Sequence, residues 1–154
     1  MQARQEVLNA ELARQLEQEG LIAFPEPRTP QGKLPDVLLA LGGLPMMLEA
    51  EVDDQPDAET KAYQKAAERI EQGLCCLALA LVYPAALRTL SPRQLSDALR
   101  TAPLRFALLR PPLPETPAWR TGNLQALADA LRHAYELLVA EDEVQRAVEQ
   151  LKQG

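Results

Sequence analysis

The sequence contains only one histidine, His133, and two cysteines, Cys75 and Cys76, which are adjacent. A structural zinc ion takes four Cys or His ligands, so these residues are too few to bind one. His133 has no serine, cysteine or second histidine at a suggestive spacing, which disfavours a Ser-His-Asp or Cys-His catalytic site. Adjacent cysteines rarely bridge each other, because a disulfide needs a larger Cα separation. We therefore expect both cysteines to be reduced core residues.

The chain also lacks the glycine-rich motifs of nucleotide-binding proteins, since neither G-x-x-x-x-G-K-[ST] nor G-x-G-x-x-G occurs. The longest apolar run, from Leu74 to Tyr83, is too short to span a membrane. The N-terminal stretch MQARQEVLNAELARQ has no apolar core of a secretion signal. We therefore expect a cytoplasmic protein that makes no membrane contact.

Basic residues are too scattered to form a block, and the net charge is −6. This balance argues against broad nucleic-acid binding driven by charge alone, but it leaves binding at a local basic patch open. With 154 residues, of which 47% are hydrophobic, the chain suits one domain over residues 1–154 with a single core. We find no internal repeat.

Hydrophobic spacing and turn residues predict helices that alternate with strands. The predicted helices cover residues 5–19, 57–72 and 91–100, followed by two C-terminal helices, 124–139 and 142–152, within about 123–152. The predicted strands cover residues 21–24, two arms of a hairpin within 34–52, then 74–83 and 104–109. This order indicates an α/β fold with helices layered against a mixed sheet.

Several residues mark the expected ends of these helices. Ser91, Pro92 and Gln94 have the spacing of a capping box with proline at the first helical position. Asp57 is expected to cap the helix that follows it, and Gly73 is expected to end that helix.

The stretch LPDVLLALGGLPMMLEAE, residues 34–51, predicts a β-hairpin around Gly42-Gly43. If its arms pair antiparallel about that turn, Asp36 comes level with Glu49. Because side chains on a strand alternate, Glu49 and Glu51 point the same way, so all three carboxylates are expected to meet. Clustered acids destabilise a fold unless a cation such as Mg²⁺ offsets them. A solvated strand end is the alternative.

The element order around these acids resembles the PD-(D/E)xK nuclease superfamily, which has the restriction-endonuclease-like fold. The matching residues are Pro35-Asp36, Glu49-Ala50-Glu51, Gln64 on the following helix, and the buried strand that ends at Tyr83-Pro84. The resemblance covers about residues 1–110 and depends on element order more than on the letters of a short motif. It implies a three-layer α/β fold, with a mixed central sheet flanked by helices, that cleaves DNA with Mg²⁺ or Mn²⁺.

The resemblance also implies roles for individual residues. The implied catalytic residues are Asp36, Glu49, Glu51 and Gln64. The implied metal ligands are Asp36, Glu49, Ala50 through its carbonyl, Glu51, and Glu11 on the first helix. Contacts to the nucleic-acid backbone would come from Arg28, Lys33, Lys61, Lys65, Arg69 and Arg88.

The sequence departs from the family pattern at one position, because Glu51 stands where the motif lysine is usual. Lysine would orient or deprotonate water and stabilise developing phosphate charge. Glutamate can instead bind a metal or accept a proton, and some restriction enzymes of the superfamily carry it there. Lys33, Lys61 and Lys65 are candidates for a displaced cation, although each also fits a solvated surface lysine.

Three functions are consistent with these features. The first is a Mg²⁺-dependent endonuclease that relies on a protein partner, a further domain or a second copy of the chain to recognise DNA. The second is a catalytically inactive nuclease-like fold that acts as an assembly or recognition module. The third is an unrelated α/β binding protein.

Overall fold

The computed structural model describes residues 4–25, 36–41 and 44–153, and these form one six-stranded mixed sheet with four α-helices. The strands are β1 Ile22–Pro25, β2 Val37–Leu41, β3 Leu44–Val52, β4 Ala78–Tyr83, β5 Leu104–Leu109 and β6 Arg120–Gly122. The helices are α1 Gln5–Gln18, α2 Ala58–Glu71, α3 Pro92–Thr101 and α4 Leu124–Gln153, with a 3₁₀ helix at Ala85–Thr89. The predicted α/β class is confirmed.

The six strands lie side by side in chain order. Only β3 and β4 pair in parallel, across the helix α2 that connects them; every other neighbouring pair of the described strands is antiparallel. Every residue of β4 is buried, which confirms the predicted central strand, although β4 begins at Ala78 and not at Leu74. A strand covered on both faces reads as a continuous apolar run.

Helices cover both faces of this sheet. The leucines of α1, α3 and α4 form one core cluster on the first face. On the second face, α2 packs through Ala62 and Ala66 against the part of β4 that presents Ala78 and Ala80. Because small side chains meet there from both sides, α2 lies close to the sheet.

The hairpin strands have the predicted register. Val37 pairs with Leu48, and Leu41 pairs with Leu44. One further step along this register places Asp36 level with Glu49. The predicted Gly42-Gly43 turn and residues 26–35, which include Pro35, lie outside the described residues.

One predicted helix cap is confirmed and another is wrong. The Ser91 hydroxyl accepts a hydrogen bond from the Gln94 N–H at 3.3 Å, and the Gln94 side chain accepts one from the Ser91 N–H at 3.0 Å. Asp57 occupies the N-cap position of α2, but its backbone is left-handed, with φ of 55°, and its side chain makes no capping hydrogen bond.

The C-terminal region is one helix, so the prediction of two helices within 123–152 is wrong. The residues between Val139 and Asp142 include no glycine or proline that would break a helix. An ion pair between Asp142 and Arg146, at 3.1 Å, spans one turn and supports the helix where the break was expected. Although α4 has 30 residues, neither it nor another described helix is apolar enough to cross a bilayer.

The two cysteines have different environments. Cys75 is buried and Cys76 is exposed, and both are free thiols. The prediction that both belong to the core is therefore wrong for Cys76. Both cysteines precede β4, which begins at Ala78.

Removing the confirmed cap should destabilise the fold. Ser91→Ala deletes the hydroxyl that pairs with the Gln94 N–H, and we expect the free energy of unfolding to fall by about 1 kcal/mol. Ser91→Asp keeps an acceptor at this position and should lose much less. Urea unfolding of the three proteins measures the difference, and equal loss in both variants would contradict a capping role.

Candidate active site

Two carboxyl groups, those of Asp36 and Glu49, meet where the pairing of β2 and β3 ends. The Glu49 side chain is only 2% exposed, and Asp36 is half-buried. Burial raises the pKa of Asp36, although the Ala50 N–H and a hydrogen bond with the Glu49 carboxyl partly counteract it. Burial and then the Asp36 charge raise the pKa of Glu49 to about 7. Near neutral pH, a large fraction of Glu49 is therefore protonated, and the protonated carboxyl can donate a hydrogen bond to Asp36.

The main chain of Ala50 lies against this pair and is held on both of its polar atoms. Asp36 Oδ2 accepts a hydrogen bond from the Ala50 N–H at 2.7 Å. Gln5, in the first turn of α1, donates from Nε2 to the Ala50 carbonyl at 2.5 Å and to Asp36 Oδ2 at 3.2 Å. These bonds satisfy backbone groups of β3 that extend past the end of β2.

Two cations from α2 pair with the acids of β3. Arg69 Nε lies 2.7 Å from Glu49 Oε1, and Lys65 Nζ lies 2.7 Å from Glu51 Oε1. Four residues of helix rise about 6 Å and two residues of strand about 6.6 Å, so the two cations match the two acids in spacing. Both glutamates thus face α2, in agreement with the alternation predicted from the sequence.

The two ion pairs differ in their access to solvent. The Arg69–Glu49 pair is largely buried, whereas the Lys65 side chain is 48% exposed. Partial burial would lower the pKa of Lys65, but its hydrogen bond to Glu51 and the charges of Glu51, Asp36 and Glu49 outweigh burial and raise it. Lys65 therefore stays charged and remains reachable from solvent.

The structure separates Glu11 from the pair formed by Asp36 and Glu49. Glu11 accepts hydrogen bonds from Arg14 and Gln15, whose side chains also reach Ser96 on α3. The Arg14 hydrogen bond is the main cause that lowers the pKa of Glu11. Glu11 thus belongs to the contact between α1 and α3.

The remaining predicted residues lie around the site or away from it. Gln64 and Lys61 are exposed on α2. Arg88 forms an ion pair with Asp54 at 2.9 Å. Arg28 and Lys33 lie outside the described residues. Of the predicted backbone-contacting cations, Lys65 and Arg69 are the ones that the structure brings to the acids.

Two polar residues of α1 were missed by the sequence analysis. Besides Gln5, Asn9 is buried and accepts a hydrogen bond from the Tyr83 hydroxyl at 2.8 Å. Burial, and then the charge of Asp36, raise the pKa of Tyr83 well above its usual value. Gln5 and Asn9 lie on the same inward face of α1 as Leu12. Polar residues on the apolar face of a predicted helix are the sequence signal that could have identified them.

Within residues 4–25, 36–41 and 44–153, no three His, Cys, Asp or Glu side chains are grouped so that they could hold a metal ion. Asp36 and Glu49 meet as a pair, while Glu51 is bound to Lys65. Of the three acids that were predicted to meet, Asp36 and Glu49 form a carboxyl pair. The third, Glu51, pairs with Lys65 beside them.

Removing the Asp36 charge should change the pH dependence of stability. The folded pKa of Glu49, about 7, exceeds its ordinary value of 4.5, so the folded state binds more protons in this window and stability falls as the pH rises from 4.5 to 7. In Asp36→Asn, the amide oxygen can still accept from the Ala50 N–H, while the neighbouring charge is gone. We therefore expect a shallower fall, and a variant at least as stable as the parent at pH 8.

Urea unfolding at a series of pH values, with a metal chelator present, measures this effect. Asp36→Ala is the matched control, because it removes the same charge together with the acceptor for the Ala50 N–H. We expect that lost acceptor to cost about 1–3 kcal/mol. An Asp36→Asn protein with the parent's pH dependence would show that the two carboxyls do not interact.

Comparisons of the chain with known protein families, with curated proteins and with solved structures found no match. Its function is therefore inferred from its own residues.

Proposed function

We propose that the chain is a Mg²⁺-dependent nuclease that hydrolyses DNA phosphodiester bonds and also accepts Mn²⁺. The observation that carries the proposal is the pair formed by the half-buried Asp36 and the buried Glu49 carboxyls, with the Lys65 ammonium beside it. Acids and a solvent-accessible cation at one strand end are the groups that phosphate hydrolysis requires.

The oxygen donors at the strand end suit a hard divalent cation. The charge of Asp36 opposes the ionisation of Glu49, and a cation between the two carboxyls would offset that repulsion. The Ala50 carbonyl keeps a second lone pair beside its bond to Gln5. Glu51 would join these ligands only by leaving Lys65. Mg²⁺ held by these oxygens would polarise the phosphate and lower the pKa of a bound water.

Lys65 is proposed to supply the charge that the family pattern places at position 51. Its Nζ lies within hydrogen-bond distance of the Glu51 carboxylate, so the ammonium lies at the tip of that side chain. From there it can stabilise negative charge that develops on a phosphate. Arg69 holds Glu49 in orientation, and Gln64 and Lys61 lie exposed on the same helix.

The restriction-endonuclease-like fold is part of the same proposal. The chain has the element order α1, β1, β2, β3, α2, β4, and its helices lie on both faces of the sheet, which supports that fold. With a net charge of −6, the chain would rely on a protein partner, a further domain or a second copy for DNA recognition. A cytoplasmic location fits this role.

A second candidate, an inactive nuclease-like module for assembly or recognition, is supported by a different observation. Each acid of the site already has partners within the chain. Glu49 pairs with Arg69, Glu51 pairs with Lys65, and Asp36 accepts hydrogen bonds from Gln5 and Ala50. In such a module these groups would serve as internal contacts of the fold.

Metal binding separates the two candidates. Because a ligand that binds the folded state stabilises it, Mg²⁺ at about tenfold its dissociation constant should add about 1.4 kcal/mol. We expect Mg²⁺ or Mn²⁺ to raise the melting temperature of the parent and of Glu11→Gln, since Glu11 lies at the α1–α3 contact. Asp36→Asn should lose both this rise and the cleavage of DNA.

Differential scanning calorimetry and cleavage assays on single-stranded DNA, double-stranded DNA and RNA measure these outcomes. If neither metal changes the melting temperature of the parent protein, the result would favour the inactive module. Cleavage by Asp36→Asn at the parent rate would show that the catalytic residues lie elsewhere.

Separate substitutions of two lysines on α2 test the role of Lys65. Lys65→Met removes the ammonium beside Glu51 and should lower kcat by about 10²–10³-fold, because a charge that stabilises the transition state is lost. Lys61→Met changes an exposed lysine one turn earlier, whose predicted role is contact with the DNA backbone, so it should weaken DNA binding but retain most of kcat. The metal-induced rise in melting temperature should persist in both variants. Equal activity of the two variants would exclude a special role for Lys65.

A further inference from the structure

The side-chain amide of Gln5 is shared between two oxygens of the candidate metal site. Its Nε2 donates to the Ala50 carbonyl at 2.5 Å and to Asp36 Oδ2 at 3.2 Å. An amide nitrogen carries two N–H groups, so one nitrogen serves both acceptors. Asp36 and the Ala50 carbonyl are also proposed ligands of the divalent cation. The Gln5 amide therefore occupies a lone pair on each of these two ligands.

Both lone pairs of Asp36 Oδ2 are already engaged in this arrangement. A carboxylate oxygen offers about two lone-pair sites. Oδ2 accepts hydrogen bonds from the Ala50 N–H at 2.7 Å and from Gln5 at 3.2 Å. The Ala50 N–H belongs to the main chain of β3, whereas the longer bond comes from a side chain. A cation that binds this oxygen would therefore displace Gln5.

Gln5 lies at a position from which it can leave without disturbing the core. It is the first residue of α1, and the N-cap residue, Arg4, makes no side-chain capping hydrogen bond within the part of the chain that the structure describes. Gln5 itself is half-buried, and the next two residues, Glu6 and Val7, are exposed. The buried apolar residues of α1 begin at Leu8. Because a helix end without a capping side chain frays readily, the first turn can move while the rest of α1 stays packed.

We propose that Gln5 is an internal competitor of the divalent cation, so that its amide keeps the metal-free site occupied and is displaced when the cation binds. This inference rests on the proposed function, because that function supplies the cation. The observed affinity for the cation is then reduced by the two hydrogen bonds of Gln5 that must be broken. Removing the amide should therefore tighten metal binding, whereas removing a ligand or a supporting residue would weaken it.

Isothermal titration calorimetry of the whole chain, with Mg²⁺ alone and then with Mn²⁺ alone, tests the competition. Gln5→Ala removes the amide and should lower the dissociation constant for both metals about fivefold, because its hydrogen bonds no longer have to be broken. Gln18→Ala is the matched control, since it makes the same substitution in the same helix at an exposed residue that contacts Arg100. It should bind both metals like the parent. Circular dichroism confirms that the variants fold.

A Gln5→Glu variant tests the same inference without shortening the side chain. An ionised glutamate has no N–H to donate, but its oxygens can bind a cation. This variant should bind both metals more tightly than the parent. Without metal, it should melt at a lower temperature than the parent, because it places a like charge beside Asp36 and removes a donor from the Ala50 carbonyl.

The calorimetry separates a failure of this inference from a failure of the proposed function. If Gln5→Ala binds the metals no more tightly than the parent, or Gln5→Glu binds them more weakly, the competition is excluded while the metal site remains. If the parent and both Gln5 variants bind neither metal, the proposed function fails, and the competition fails with it.

Discussion

The ion pairs from Lys65 to Glu51 and from Arg69 to Glu49 fix the position of α2 over β3, and the rest of the site depends on them. The surface between α2 and the sheet consists largely of alanines, which permit close packing but provide few projections that would stop the helix from sliding. The two ion pairs, whose cations and acids have matching spacing, prevent this sliding. The same contacts orient both glutamates toward a single helix.

A buried pair of acids is costly, and the structure offsets only part of the cost. Desolvation opposes the charge of Glu49, and the nearby Asp36 opposes it further. Arg69 counteracts these effects on Glu49, and the Ala50 N–H counteracts the burial of Asp36. Buried ion pairs nevertheless seldom stabilise a fold more than apolar residues of the same size would. Clusters of groups with perturbed pKa values are more frequent at functional sites, which agrees with a role for this strand end beyond packing.

Sequence patterns correctly predicted the parts of the structure that depend on residues close together in the chain. Strand alternation and the antiparallel register were enough to bring Asp36 beside Glu49, and turn chemistry was enough to place the Ser91 cap. The contacts of Lys65 and Arg69 were not predictable in the same way, because they depend on how α2 crosses β3. The sequence predicted both cations as contacts to the nucleic-acid backbone, with a solvated surface lysine as the alternative for Lys65.

Other parts depended on contacts between distant residues or on signals that the sequence does not carry. Gln5 reaches Ala50 across 45 positions, and no periodic pattern relates the two. The division of α4 was predicted at a cluster of acids, but acids do not end a helix when glycine and proline are absent and an Asp142–Arg146 pair bridges the turn. Both cysteines lie before β4 begins, and the continuous apolar run concealed that late start.

The hydrogen bond from Gln5 to the Ala50 carbonyl has a consequence for the chemistry of this strand end. A main-chain oxygen cannot be exchanged by substitution, and moving it would require β3 itself to shift. Its partner Gln5, however, is a side chain that can swing away by rotation about its own bonds, on a timescale much shorter than any strand rearrangement. The donor strength of this backbone oxygen is therefore adjustable through the rotamer of one glutamine, while the sheet around it stays rigid.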